Sequence, residues 1–142
     1  MYRIGYGIDY HQLVEGRAFW LGGIQIPHHK GALGHSDADV LLHAICDAML
    51  GAVNAGDIGT HFPDNSAEFK DIDSKILLQR SNEVLKLKGY AVVNIDSTIC
   101  LQLPKIKPYI HTMQETIAAV LGIDADLISI KATTTEKLGF VG

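Results

Sequence analysis

The sequence predicts an α+β fold, an α/β sandwich with helices packed on one face of a mixed sheet and an N-terminal β-hairpin. Three observations carry this: alternating apolar runs early in the chain, three stretches with apolar residues at helical spacing, and β-branched runs after the second and third of these. Residues 2–10 alternate and are rich in Tyr and Ile, which predicts an opening strand. Phe19–Leu21 and Ile24–Ile26 flank Gly22-Gly23, the pattern of a tight hairpin. From Ser36, which can cap a helix, Val40, Ala44, Ile45, Ala48 and Met49 recur at helical spacing as far as Gly56. A second helix is expected over about 74–88, closed by Gly89, and Tyr90 to Leu101 then reads as a strand. A third helix follows Pro108 through Ile110, Met113, Ile117 and Val120 to Gly122, and Leu127 to Thr133 reads as a further strand.

With 142 residues, 47% hydrophobic, and neither repeat nor linker, the chain fits a single domain over 1–142. A net charge of −4 with scattered basic residues argues against nucleic acid or an anionic membrane as partner. No apolar run has the length of a membrane span or signal peptide. Cys46 and Cys100 sit in apolar segments and read as core residues rather than a disulfide framework. These features predict a soluble protein of a bacterial cytoplasm or, after loss of a transit peptide, a plastid-type organelle.

Asp9 and His11 stand two apart on the predicted first strand, so the pleat turns both side chains to one face, where they can share an ion. His43 interrupts an otherwise apolar helix, where an imidazole needs a partner. Two His and one Asp suit zinc, and three protein ligands leave the fourth position open, as in catalytic sites. The competing readings are a surface ion pair and a satisfied core histidine. What favours metal is the neighbouring His35-Ser36-Asp37 at the entrance of the same helix, where backbone N–H groups favour an anion. Asp39 and Asp47, four residues on either side of His43, are candidates to hold its second ring nitrogen.

Gly56 to Gly59 and His61 to Asn65 read as a long irregular connection, in which Asp57 and Asp64 could accept from sugar hydroxyls or remain solvated acids. His28-His29 reads as a turn feature. Lys105 lies between a strand end and a helix, a place for a phosphate or for a solvated lysine. Thr133, Thr134 and Thr135 offer hydroxyl donors at a strand end, and Glu136 offers a carboxylate for a harder cation such as Mg²⁺.

The runs Gly7-Ile8-Asp9-Tyr10-His11, Leu33 to Val40 with His43, Gly56 to Gly59 through Phe62-Pro63-Asp64, Pro104-Lys105 and Lys131 to Phe140 closely resemble the 2-C-methyl-D-erythritol 2,4-cyclodiphosphate synthase family of the non-mevalonate isoprenoid pathway. The likeness covers nearly the whole chain, in order. It implies a homotrimer whose four-stranded sheets face a central axis, with active sites between subunits. The implied reaction is attack of the 2-phosphate of 4-diphosphocytidyl-2-C-methyl-D-erythritol 2-phosphate on its β-phosphorus, giving the cyclic diphosphate and CMP. Zinc, or another divalent transition metal, would be held by Asp9, His11 and His43, and Mg²⁺ or Mn²⁺ through Glu136. His35 and Thr134 would be catalytic. Substrate binding would fall to Ser36, Asp57, Ile58, Gly59, Phe62, Pro63, Asp64, Lys105, Thr133, Thr135, Glu136 and Phe140, with Lys105 and Thr133 in the cytidine-diphosphate pocket. Tyr6, Ile8 and Tyr10 depart from the usual first motif but alternate with the ligands. The family also continues past the position of Gly142 through an Arg and a last strand, so a missing C-terminal strand is expected. Two other functions fit the same residues: a zinc phosphohydrolase, which would incorporate solvent oxygen, and a non-catalytic trimer binding a nucleotide or an isoprenoid diphosphate.

Overall fold

The glycine pair does what its position predicts. Gly22 and Gly23 take φ of 62° and 81°, and the turn they make pairs β2 (Phe19–Leu21) with β3 (Ile24–Ile26), Leu21 opposite Ile24. The computed structural model describes residues 1–141. Around this hairpin β1 (Leu13–Glu15) and β4 (Lys30–Ala32) pair antiparallel, and β5 (Ile95–Cys100) and β6 (Ile128–Thr133) pair parallel, Ile95 opposite Ile128. The helices are α1 (Val40–Ala52), α2 (Ile58–His61), α3 (Ser74–Leu87) and α4 (Ile110–Leu121). The mixed α+β class is as predicted. The core lies where α1, α3 and α4 meet: Leu42, Leu78, Met113 and Ile117 are fully buried there, with Leu21 and Ile26 from the hairpin and Ile128 from β6. No helix among the described residues is long and apolar enough to cross a membrane.

The sheet is more divided than predicted. Among the described residues the ladders form three two-stranded pieces, and residues 2–10, predicted as a strand, carry no ladder. The reason lies in what that segment touches. Gly5 and Gly7 lie against the backbone of α1, where a Cβ on either would overlap the carbonyl of Ala48 or Ala44. A helix surface thus takes the inner face of the segment, and a cleft of about 1550 Å³ separates it from β5. The extended alternation survives: Gly5, Gly7, Asp9 and His11 turn inward, while Tyr2, Ile4 and Tyr6 are exposed. At its start, Arg3 Nε donates to the Tyr90 hydroxyl at 2.9 Å and the guanidinium stands over that ring. The ladder of β5 begins at Ile95, five residues later than the predicted Tyr90.

α1 is capped by Asp39, not by Ser36. The Asp39 carboxylate is fully buried and accepts from the backbone N–H groups of Leu42 (3.1 Å), Gly22 (2.9 Å) and Gly23 (2.7 Å). One side chain thereby starts the helix and ties the hairpin turn to it. Burial pushes its pKa up to about 6, against those three donors. The connection after α1 is also less irregular than predicted, since Asp57 caps α2, accepting from both the N–H and the hydroxyl of Thr60 at 2.9 Å.

Candidate metal centre

The inward face of residues 5–11 meets the first turn of α1 at one corner, and there the structure brings together all three predicted ligands. Asp9 Oδ2 lies 2.9 Å from His11 Nε2 and 3.2 Å from His43 Nδ1, and the two ring nitrogens are 3.3 Å apart. Among the described residues this is the group of Asp, Glu, His and Cys side chains whose ligand atoms converge as a metal site requires, all within 4.8 Å of one another. His43 is buried, and Asp9 and His11 are partly so. The donor set, two imidazole nitrogens and one carboxylate oxygen, fits a zinc-type ion with one position open. Asp9 Oδ2 supports this: it is buried without a hydrogen bond of good geometry, although two ring nitrogens face it.

The electrostatics of the corner follow. Burial alone would raise the Asp9 carboxyl, but the His11 and His43 rings outweigh it and hold the group well below the usual carboxylate range. His11 is raised by the Asp9 carboxylate, against partial burial. On its other side the His11 ring donates from Nδ1 to the Leu33 carbonyl at 2.9 Å, which fixes its orientation.

The second nitrogen of His43 is not held by Asp39 or Asp47, as the helical spacing predicts. Asp39 is committed to the hairpin, and Asp47 Oδ1 accepts from the Ile58 N–H at 2.9 Å, linking α1 to α2. His43 Nε2 instead faces Ser74 Oγ at 2.9 Å and Ser36 Oγ at 3.1 Å. The Ser74 contact does not follow from local spacing, because Ser74 opens a different helix.

The remaining candidates fall into four places. Thr135 and Phe140 line the same cleft as Asp9 and His11, with the Phe140 ring 5.4 Å from Tyr10 and the Thr135 hydroxyl buried without a partner. Thr133 ends β6, and Thr134 Oγ1 accepts from the N–H of the exposed Glu136 at 3.3 Å; Glu136 is outside the three-ligand group. A second place is the 57–66 region: His35 Nε2 donates to the Ser66 carbonyl at 2.9 Å, Ile58 and Gly59 lie in α2, Phe62 packs edge-on to Phe69, and Pro63 and Asp64 are exposed. Ser36 is buried, its hydroxyl taken by His43 and the Ala38 N–H. Lys105 stands by itself, exposed after β5. One chain thus assembles the metal corner, with Ser36 against His43 and Thr135 and Phe140 along the same cleft, and leaves the 57–66 region and Lys105 outside that cleft.

Comparison with known proteins agrees with this geometry. The YgbB family matches residues 2–142. The 2-C-methyl-D-erythritol 2,4-cyclodiphosphate synthase of Bacteroides thetaiotaomicron is 66% identical over 140 residues, spanning 99% of this chain and 88% of that protein. That of Fusobacterium nucleatum is 58% identical over 142 residues, spanning 100% and 89%. Among solved structures, the bifunctional IspDF of Campylobacter jejuni matches with a TM-score of 0.94 at 42% identity, over 98% of this chain and 38% of that one. A 2C-methyl-D-erythritol-2,4-cyclodiphosphate synthase in a CDP-bound form matches with a TM-score of 0.91 at 34% identity, over 96% and 91%. A metal corner of this composition, in a chain related to these proteins along nearly its full length, leads to one assignment: the chain belongs to the YgbB family, that of the 2-C-methyl-D-erythritol 2,4-cyclodiphosphate synthases.

Proposed function

We propose that the protein is a phosphorus–oxygen lyase that closes 4-diphosphocytidyl-2-C-methyl-D-erythritol 2-phosphate into the cyclic 2,4-diphosphate. A 2-phosphate oxygen forms a bond to the β-phosphorus, the bond from that phosphorus to the oxygen bridging it to the α-phosphorus breaks, and CMP leaves with that oxygen. No water is consumed and no side chain is modified. The observation that carries this reading is the convergence of Asp9, His11 and His43 in a chain 66% identical to a protein of that name.

A divalent ion bound at that corner would supply Lewis acidity to a phosphate oxygen. The chain's own work is placement, since in-line phosphoryl transfer depends on aligned oxygens and neutralised charge more than on a nucleophilic side chain. His35 and Thr134 are assigned to steady the transferring phosphoryl group, and Glu136 to hold Mg²⁺ or Mn²⁺ at the diphosphate. Asp57, Ile58, Gly59, Phe62, Pro63 and Asp64 are assigned to the methylerythritol unit, with the backbone of Ser36 near its phosphate. Lys105, Thr133, Thr135 and Phe140 belong to the cytidine-diphosphate side. Because these groups lie apart in one chain, we assign the complete site to the junction of neighbouring subunits in a homotrimer, with the exposed Tyr2, Ile4 and Tyr6 turned to the axis.

Phosphorus NMR of the protein incubated with the substrate, with and without a chelator, tests the reading. Metal-dependent appearance of a cyclic diphosphate and CMP is expected. Hydrolysed phosphate carrying solvent oxygen would make it a phosphohydrolase, and unchanged substrate beside tight CDP binding would make it a binding protein.

A further inference from the structure

His43 presents Nδ1 to Asp9 and His11 and turns Nε2 inward to Ser74 Oγ at 2.9 Å. The proton positions on this inner side follow from donor and acceptor capacity. Ser74 Oγ donates its single hydrogen to Asp37 Oδ1, so toward His43 it can only accept. Paired with an Oγ that can only accept, the imidazole hydrogen sits on Nε2; Ser36 Oγ, 3.1 Å from the same nitrogen and already accepting from the Ala38 N–H, has a second lone pair to take a share of it, and Nδ1 is left with a bare lone pair facing the corner. Asp37 is itself committed as an acceptor: Oδ1 also takes the Asp39 N–H at 3.1 Å, and Oδ2 takes the Ser74 N–H at 2.9 Å. Ser74 is fully buried as the first residue of α3, so the contact is screened from water and its geometry is set by the helix.

We propose that Ser74 and Asp37 are positioning residues of the metal centre. Their carboxylate–hydroxyl–imidazole relay holds His43 in the Nε2–H tautomer and strengthens Nδ1 as a donor, so metal affinity depends on two residues that touch no metal. This rests on the reading of Asp9, His11 and His43 as ligands. It also gives α3 a function, because its first residue fixes a ligand carried by α1.

The test is a titration of the metal-free full chain with Zn²⁺ against a chromophoric chelator, alongside nitrogen-15 NMR of the His43 ring. Ser74→Ala and Asp37→Asn are each expected to weaken zinc binding by about 10- to 100-fold. Ser74→Thr, which keeps the hydroxyl, is expected to stay within about threefold of the unmodified chain. The α3 cap can be weakened without touching the relay through Asp73→Ala, since Asp73 accepts from the Lys75 N–H at 2.9 Å. That variant is expected to lower the melting temperature and leave zinc affinity unchanged. The NMR readout is expected to show the Nε2–H tautomer in the metal-free chain and a mixture of tautomers in Ser74→Ala. Zinc binding by Ser74→Ala as tight as that of the unmodified chain would overturn the relay alone. So would an equal loss in Asp73→Ala, or an unchanged tautomer. An unmodified chain that takes up no zinc would overturn the ligand reading and the relay with it.

Discussion

The metal corner and the turn after β6 both gather candidate residues, and they are built in opposite ways. At the corner both imidazoles are held from behind, His11 by the Leu33 carbonyl and His43 by two hydroxyls, and Asp9 Oδ2 is buried between the two rings. In the turn, Glu136 and Lys137 are exposed with φ of 55° and 59°, and the Thr135 hydroxyl has no partner. The first is a rigid seat formed by one chain. The second is a set of exposed or unpartnered groups that, in the function proposed above, would find their partners in a ligand or a neighbouring subunit. Under that proposal, preorganisation lies where a cation would be stripped of water, and freedom where an organic substrate would enter.

Mutations on either side should respond differently. The largest effect is expected for His43→Ala, which removes a ligand: turnover should fall roughly a thousandfold or more, given the several kcal/mol a Lewis acid supplies. Zinc measured in the purified variant should fall with it, while circular dichroism remains close to that of the unmodified chain. Gly7→Val drives a side chain into the Ala44 carbonyl, and denaturant unfolding should show a loss of about 3 kcal/mol or more.

The pH dependence of the metal-free chain separates a buried acid from the corner. Asp39 holds its proton up to about pH 6, above the ordinary 3.8, so the folded state binds that proton more tightly than the unfolded one. Stability from this group is therefore greatest below the ordinary carboxylate pKa and declines by on the order of 2–3 kcal/mol as pH rises to about 6. His11, raised by Asp9, extends the decline to higher pH, and zinc should reverse that upper limb by taking the place of the proton. Unfolding curves from pH 4 to 8 with and without zinc would show both limbs. If the slope between pH 4 and 6 survives in Asp39→Asn, the assignment to Asp39 fails. The smallest effect on stability is expected at Glu136→Gln, within about 0.5 kcal/mol, because the side chain is exposed. Its activity should nevertheless fall and recover as Mg²⁺ is raised; insensitivity to Mg²⁺ would remove Glu136 from the ion.

What could be read in the sequence was what is local. The Gly22-Gly23 hairpin, the three long helices and the shared face of Asp9 and His11 follow from turn chemistry and periodicity, and each stands within a few residues of its expected place. What could not be read depends on contacts between distant elements. Asp39 resembles an ordinary first-turn acid, yet it caps α1 and binds a turn sixteen residues away. Ser74 reads only as the start of a helix, and nothing near it announces a contact with His43, 31 positions earlier. Residues 2–10 have the composition of a strand, but a ladder needs a partner edge, and the local pattern cannot say whether one lies within reach.

The alternation in that first segment has a consequence for chain length rather than for residue identity. Its inward positions are set by a step of two, from Gly5 to Gly7 to Asp9 to His11, against a fixed helix surface. One residue inserted between Gly7 and Asp9 would keep every side chain in the protein and exchange the two faces, turning Asp9 and His11 to solvent and Tyr10 toward α1. For the candidate metal site the count of residues in this segment therefore matters more than the identity of its outward ones: a one-residue insertion or deletion there is expected to abolish zinc binding.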